Sequence, residues 1–192
     1  MSVSEISFSA SYEILPPSFF RGHISLIILK QGDAWILGRK EIYPDGIARL
    51  VGGGVEDGEE LVVAAARELF EEVGVRVPTT QLVPLTTVRC SFEERSTGKK
   101  PVFQASLFFC ELSSDTTLHP DDDLDDLWEC STEEFREIIG RFSTLNPDLK
   151  DSKTGFRWAD YGEVYAFIHK LALDLAEDFL KNRERTRSQS AD

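Results

Sequence analysis

The sequence predicts an α/β domain in which helices cover a mixed β-sheet, and three observations support this fold class. Apolar and β-branched residues from Ser25 to Arg39, interrupted by a turn at 31–33, are typical of a β-hairpin. Residues 59–73 show the apolar spacing of a helix. Residues 82–92 and 101–112 then predict a second, longer hairpin. Because strands and helices recur along one chain, a sheet covered by helices is the expected architecture.

The first twenty residues and the segment after the second hairpin add smaller elements. Residues 1–20 form a lead-in, with an edge strand predicted around Ser7–Ile14. Residues 127–130 predict a short strand. Ser131 followed by Glu134 is a capping-box pattern, which predicts the start of a helix.

The C-terminal region, 143–181, is predicted to be a loop followed by one more helix that begins near Asp160. We expect this helix to pack on the domain, and a homodimer contact through it is left open. The tail 182–192 is polar and is expected to be flexible from Asn182 onward. The apolar positions at helical spacing are Val164, Tyr165, Ile168, Leu171, Ala172, Leu175 and Phe179.

Composition excludes several classes of function. The chain has 34 acidic and 21 basic residues and a net charge of −13, so it repels nucleic-acid backbones. Its three cysteines lack metal-ligand spacing and indicate reduced thiols. The sequence shows no signal-peptide pattern and no apolar run of membrane-spanning length. We therefore expect a cytoplasmic protein that binds neither membranes nor nucleic acids.

Three glutamates in the first predicted helix are the strongest chemical signal. Glu68, Glu71 and Glu72 stand at i, i+3 and i+4, which places them on one helix face. Carboxylates in this arrangement repel one another, and a hard cation such as Mg²⁺ among them would offset that repulsion. The alternative is a solvated acidic face, which is a common reason for paired glutamates on a helix.

The residues before the helix favour the cation hypothesis. Gly52, Gly53 and Gly54 allow the backbone to approach a ligand closely. They lead to the helix N-terminus, whose free N–H groups and dipole favour anions. Arg67 is adjacent to the glutamates and could hold their carboxylates by bidentate pairing. Together these features predict a site for a divalent cation and a phosphate.

The joint spacing of these residues resembles the Nudix family. Its motif is Gly, five residues, Glu, seven residues, Arg-Glu, a bulky apolar residue, one residue, Glu-Glu, one residue, Gly and an aliphatic residue. Residues 53–75 match every fixed position, and the resemblance covers about residues 21–142. The matching residues are Gly53, Glu59, Arg67, Glu68, Leu69, Glu71, Glu72, Gly74 and Val75.

The resemblance implies an α/β/α sandwich around a mixed sheet, with the C-terminal helix as an addition. It also implies Mg²⁺-dependent hydrolysis of a phosphoanhydride bond in a nucleoside diphosphate linked to another moiety, with Mn²⁺ as a substitute metal. The metal ligands would be the three glutamates and the Gly53 carbonyl, and Arg67 would belong to the catalytic group. Glu59 would brace the site, and Gly74 would close the helix.

The general base and the substrate contacts are less defined. Glu68 is one candidate for the base, and carboxylates before Trp128 are others. Arg39, Lys40 and Arg49 could hold a phosphate, although single basic residues at strand ends are usually solvated. Phe92 could stack on a base or pack in the core. The carboxylates before Trp128 are Asp121, Asp122, Asp123 and Asp125.

Two other functions compete with hydrolysis. A non-catalytic Nudix-like nucleotide-binding or regulatory domain would tend to lose the glutamates, which are intact here. An isomerase of the isopentenyl diphosphate type usually has a catalytic cysteine upstream, and no cysteine precedes Cys90. Both are therefore less favoured than a hydrolase.

Overall fold

The computed structural model describes residues 5–121 and 124–189. Its strands form one seven-stranded sheet. The strands are β1 (Glu5–Tyr12), β2 (His23–Gln31), β3 (Ala34–Arg39), β4 (Val51–Gly54), β5 (Val83–Glu94), β6 (Val102–Leu112) and β7 (Asp126–Cys130). The helices are α1 (Leu61–Val73), α2 (Thr132–Ser143) and α3 (Trp158–Gln189), with short 3₁₀ helices at Pro17–Phe20 and Thr79–Gln81.

The sheet is mixed, as the sequence predicted. Its order is β1-β5-β6-β2-β3-β7, and β4 pairs with β2 outside this path. The pairs β1/β5 and β2/β6 are parallel, whereas the other pairs are antiparallel. Both predicted hairpins are present, and β1 is the predicted edge strand of the lead-in.

Helices cover both faces of this sheet, which makes the fold an α/β/α sandwich. Alternate residues of β2 belong to different apolar clusters, because successive side chains of a strand point to opposite faces. Ile27 and Leu29 pack in the cluster that contains Leu69 of α1. Leu26 and Ile28 pack in the larger cluster that contains residues of α2 and α3. The core is thus divided by the sheet into two layers.

The predicted helix starts are close to the observed ones. The capping box of α2 is present: the Ser131 hydroxyl accepts from the Glu134 amide, and the Glu134 carboxylate accepts from the Ser131 amide. Helix α1 begins at Leu61, two residues after the predicted start at 59. The acidic residues Asp122 and Asp123 lie outside the described residues.

Helix α3 differs from its prediction at its C-terminal end. It begins at Trp158, two residues before Asp160, and continues to Gln189, beyond the expected flexible tail from Asn182. Its His169 is fully buried, and Nε2 accepts a hydrogen bond from the Leu50 amide at 3.0 Å. Burial lowers the pKa of His169 to about 3, so the ring is neutral. This contact joins α3 to the residue directly before β4.

No helix in the described ranges 5–121 and 124–189 is long and apolar enough to cross a membrane.

Candidate active site

Gly52, Gly53 and Gly54 belong to strand β4 and not to a loop, and the sequence did not predict this strand. Strand β4 pairs with β2, where Gly52 is opposite Leu26 and Gly53 is opposite Ser25. Gly52 has φ of 130°, and a Cβ there would lie 2.1 Å from the Ser25 carbonyl oxygen. Because no side chain fits at that distance, this position requires glycine.

Glu72 is attached to this strand. Its Oε2 accepts a hydrogen bond from the Gly52 amide at 2.6 Å. The side chain is buried, and burial raises the pKa of Glu72 to about 7. A carboxylate in this position is costly to charge unless a cation lies nearby.

Glu68 and Glu71 are the other two glutamates of the predicted site. The Glu68 carboxylate lies against Gly53, where a Cβ would be 2.5 Å from Glu68 Oε2. Glu68 is buried, whereas the side chain of Glu71 is 41% exposed. Helix α1 therefore presents two enclosed carboxylates and one open carboxylate beside the glycine strand.

Arg67 connects the glutamates to the strand. Its Nη1 donates to Glu68 Oε1 and Glu71 Oε2, both at 2.9 Å. Its Nε and Nη2 donate to the two Glu59 oxygens at 2.9 Å, and Nη2 also donates to the Gly54 carbonyl at 2.8 Å. These bonds use all of the N–H donors of the guanidinium group. The hydrogen bond from Arg67 lowers the pKa of Glu59.

Gly74 ends α1 in the left-handed conformation, with φ of 75°. Its amide donates to the Phe70 carbonyl at 3.0 Å, which is the glycine-terminated helix end that the sequence indicated.

The glutamates and the glycine strand line a cavity of about 340 Å³. Arg49 and Lys40 line it too, as does the aromatic group Tyr43, Phe156, Trp158 and Tyr161. Sequence reasoning missed these aromatic residues, because they are distant in sequence from the motif and have no characteristic spacing. The concentration of aromatic residues at 156–161 was the one available signal.

Two predicted substrate contacts lie elsewhere. The Arg39 guanidinium lies over the Trp128 ring at 5.4 Å and 3.9 Å from Asp45, and the residue does not line the cavity. Phe92 is buried and stacks on Phe19, with ring centroids 4.5 Å apart. Phe92 thus belongs to the core, where it supports the 3₁₀ helix that carries Phe19.

The candidate general bases differ in whether they line the cavity. Glu68 lines the cavity, whereas Asp121 and Asp125 do not. Asp125 Oδ2 accepts from the Glu41 amide at 2.6 Å, and the Asp121 amide donates to the Glu72 carbonyl at the end of α1. Asp122 and Asp123 lie outside the described residues.

The donor set fits a hard divalent cation in its chemistry. Carboxylates and backbone carbonyls supply only oxygen atoms, which Mg²⁺ prefers. In the conformation described, Arg67 holds Glu68 and Glu71 while the Gly52 amide holds Glu72. Accordingly, no three acidic, histidine or cysteine side chains of residues 5–121 and 124–189 are grouped closely enough to hold a metal.

Comparison with known proteins identifies the family. A family model described as "NUDIX domain" matches residues 20–146, which is more than half of the chain. The chain therefore belongs to the Nudix family. A search of curated proteins found no match.

Solved structures share the fold at low identity. An Ap4A hydrolase from C. elegans is 17% identical, with a TM-score of 0.55 over 84% of this chain and 98% of its own. A MutT protein from Bacillus halodurans is 19% identical, with a TM-score of 0.50 over 60% of this chain and 72% of its own.

A third structure is a bifunctional NMN adenylyltransferase/ADP ribose pyrophosphatase from Francisella tularensis, complexed with AMP and a Mn ion. It is 18% identical with a TM-score of 0.49, and the match covers 78% of this chain. The chain spans only 42% of the length of that protein.

Proposed function

We propose that this protein hydrolyses a phosphoanhydride bond in a nucleoside diphosphate linked to another moiety, and that it requires Mg²⁺. One observation carries the proposal: Glu68, Glu71 and Glu72 line the same cavity as Gly52–Gly54. A cavity with grouped carboxylates, a close backbone and nearby basic residues suits a polyphosphate bound through a divalent cation.

The three glutamates and the Gly53 carbonyl would hold the cation. Mg²⁺ bound there would polarise the phosphoryl oxygens and acidify a water molecule. Arg67 orients Glu68 and Glu71, because its guanidinium binds both carboxylates and the Gly54 carbonyl. Glu72 is oriented by the Gly52 amide.

Glu68 is the favoured general base. It is the one predicted candidate in the described part of the chain that lines the cavity. From that position it would take the proton of the attacking water, and the nucleophile would attack phosphorus in line with the leaving oxygen. Lys40 and Arg49 line the same cavity and would bind phosphate oxygens.

The test is a panel of nucleotide sugars, dinucleotides and nucleoside triphosphates, assayed with Mg²⁺ and with EDTA. Because the C. elegans relative is an Ap4A hydrolase, diadenosine tetraphosphate belongs in the panel. We expect a nucleoside monophosphate among the products of at least one substrate, and only with the metal. Binding of nucleotides without any turnover would favour the regulatory domain instead.

A further inference from the structure

The cavity has a second lining that the Nudix motif does not contribute. Phe156, Trp158 and Tyr161 lie beyond residue 146, where the family match ends. They line the cavity together with Tyr43, which belongs to the matched region. This half of the cavity is therefore formed largely by residues outside the family match. Residues there would select among substrates that undergo the same reaction.

Phe156 belongs to the loop that precedes α3, and local hydrogen bonds hold this loop. Asp151 Oδ1 accepts from the Thr154 amide at 2.7 Å and from its hydroxyl at 2.6 Å. The Trp158 amide donates to the Leu149 carbonyl at 2.9 Å. Because hydrogen bonds fix the loop and α3 carries Trp158 and Tyr161, these three aromatic residues are held in place before a ligand arrives.

The aromatic residues contact one another and form a continuous apolar surface. The rings of Phe156 and Trp158 are 5.0 Å apart, and those of Trp158 and Tyr161 are 5.2 Å apart. Tyr43 meets Trp158 edge-on at 6.2 Å. A surface of this kind favours a planar ring system, because aromatic groups gain from stacked and edge-to-face contacts.

Arg49 supplies a polar group at the same lining. Its Nη1 donates to the Tyr161 hydroxyl at 2.8 Å, and its guanidinium lies 4.8 Å from the centre of the Tyr165 ring. Its Nε is enclosed and has no hydrogen-bond partner among the described residues. The other N–H groups of a guanidinium that lines a cavity can bind a ligand, and an anionic oxygen is their strongest partner.

We propose that this half of the cavity binds the nucleoside monophosphate part of the substrate. The base would lie against Tyr43 and Trp158, and a phosphate oxygen would accept from the Arg49 guanidinium group, which lines the cavity. This inference rests on the proposed function, because it assigns the part of that substrate that the cavity holds. The volume of about 340 Å³ is near the lower end of small-molecule sites, roughly 300–1,000 Å³, which suits one nucleotide unit.

The test is calorimetric titration of the metal-free protein in EDTA with AMP, GMP, CMP and UMP. The matching nucleosides and inorganic phosphate are titrated in parallel. We expect at least one monophosphate to bind at least about tenfold more tightly than its nucleoside and than phosphate. Failure of all four to bind, or equal affinities for monophosphate and nucleoside, would overturn the assignment.

Two variants locate the binding. Arg49→Met keeps an unbranched, flexible side chain but removes the guanidinium donors, so monophosphate affinity should fall by about tenfold or more. Ile42→Glu provides a test that does not disturb the core, since Ile42 is 65% exposed and lines the cavity. Its added negative charge should repel the phosphate and weaken binding at low ionic strength.

Val63→Glu is the matched control for Ile42→Glu. Val63 is 43% exposed on α1 and does not line the cavity, so this variant should bind like the wild type. Equal affinities of the Ile42 and Val63 variants would contradict the assignment. These titrations contain no metal, so they measure binding and not hydrolysis. Nucleotide binding without turnover in the Mg²⁺ assay would count against the proposed reaction but support this binding site.

Discussion

The Glu72 carboxylate accepts a hydrogen bond from the Gly52 amide at 2.6 Å, and this bond joins helix α1 to the glycine strand. It places a buried carboxylate beside the cavity in a fixed position. The site is therefore built by the packing of a helix against a strand, and four predictions follow from that construction.

Glu72→Gln should reduce turnover by at least about 100-fold, because it removes a negative charge from the proposed metal ligands. The glutamine oxygen can still accept from the Gly52 amide, so the fold should be retained. The measurement is kcat on the best substrate of the panel, with circular dichroism to confirm folding. Glu137→Gln, on the exposed face of α2, is the control and should be fully active. Wild-type turnover in Glu72→Gln would exclude Glu72 from the metal site.

Comparing Glu72→Gln with the wild type also tests how the free energy of unfolding depends on pH, measured in EDTA. Burial raises the pKa of Glu72 to about 7 from 4.5, so the folded state keeps a proton that the unfolded chain releases. Stability from this group is therefore lost as pH rises through that window. We expect Glu72→Gln to be more stable than wild type at pH 8, by up to roughly 3 kcal/mol, and nearly equal at about pH 4, below the pKa of the unfolded chain. Denaturant unfolding at both pH values measures the difference, and a gap that does not change with pH would disprove it.

Gly52→Ala should destabilise the protein strongly, by roughly 3 kcal/mol or more, whereas Gly54→Ala should have a small effect. A Cβ on Gly52 would lie 2.1 Å from the Ser25 carbonyl oxygen, but a Cβ on Gly54 would meet no atom within 4 Å. Both substitutions add one methyl group to the same strand. Thermal unfolding of the two variants side by side tests the close approach of β4 to β2, and similar melting temperatures would argue against it.

Leu69→Ala should cost roughly 2–5 kcal/mol, because Leu69 is fully buried between α1 and the sheet. Val63→Ala shortens an exposed side chain on the same helix and should change stability by about 0.5 kcal/mol or less. Urea unfolding of both variants gives the comparison. If the two truncations had equal effects, the buried face of α1 would be wrongly assigned.

Much of this fold could be predicted from local patterns. The β-hairpins, the capping box at Ser131 and the helix-ending Gly74 each depend on residues close in sequence, and all are present. The three glutamates share a helix face because helical geometry fixes it. The strand formed by the glycine segment could not be predicted from local patterns. It forms because the segment pairs with β2, which is distant in sequence.

The residues of the candidate site also divide into those that a local pattern contains and those that only the folded chain brings together. One motif contains Arg67, Glu59 and the three glutamates, and the structure brings these residues together. The sequence left Phe92 open between a base contact and the core, and only the packed structure shows that Phe92 stacks on Phe19 and that Arg39 lies over Trp128. The aromatic lining from Phe156 to Tyr161 joins the site through chain topology, which no local spacing reports.

The most direct measurement is a calorimetric titration of Mn²⁺ or Mg²⁺ in the presence of a nucleoside monophosphate, for the wild type and for the triple variant Glu68→Gln, Glu71→Gln, Glu72→Gln. We predict that the wild type binds the metal and that the correctly folded triple variant does not. Equal metal binding by both proteins would contradict the assignment of these carboxylates as the metal site.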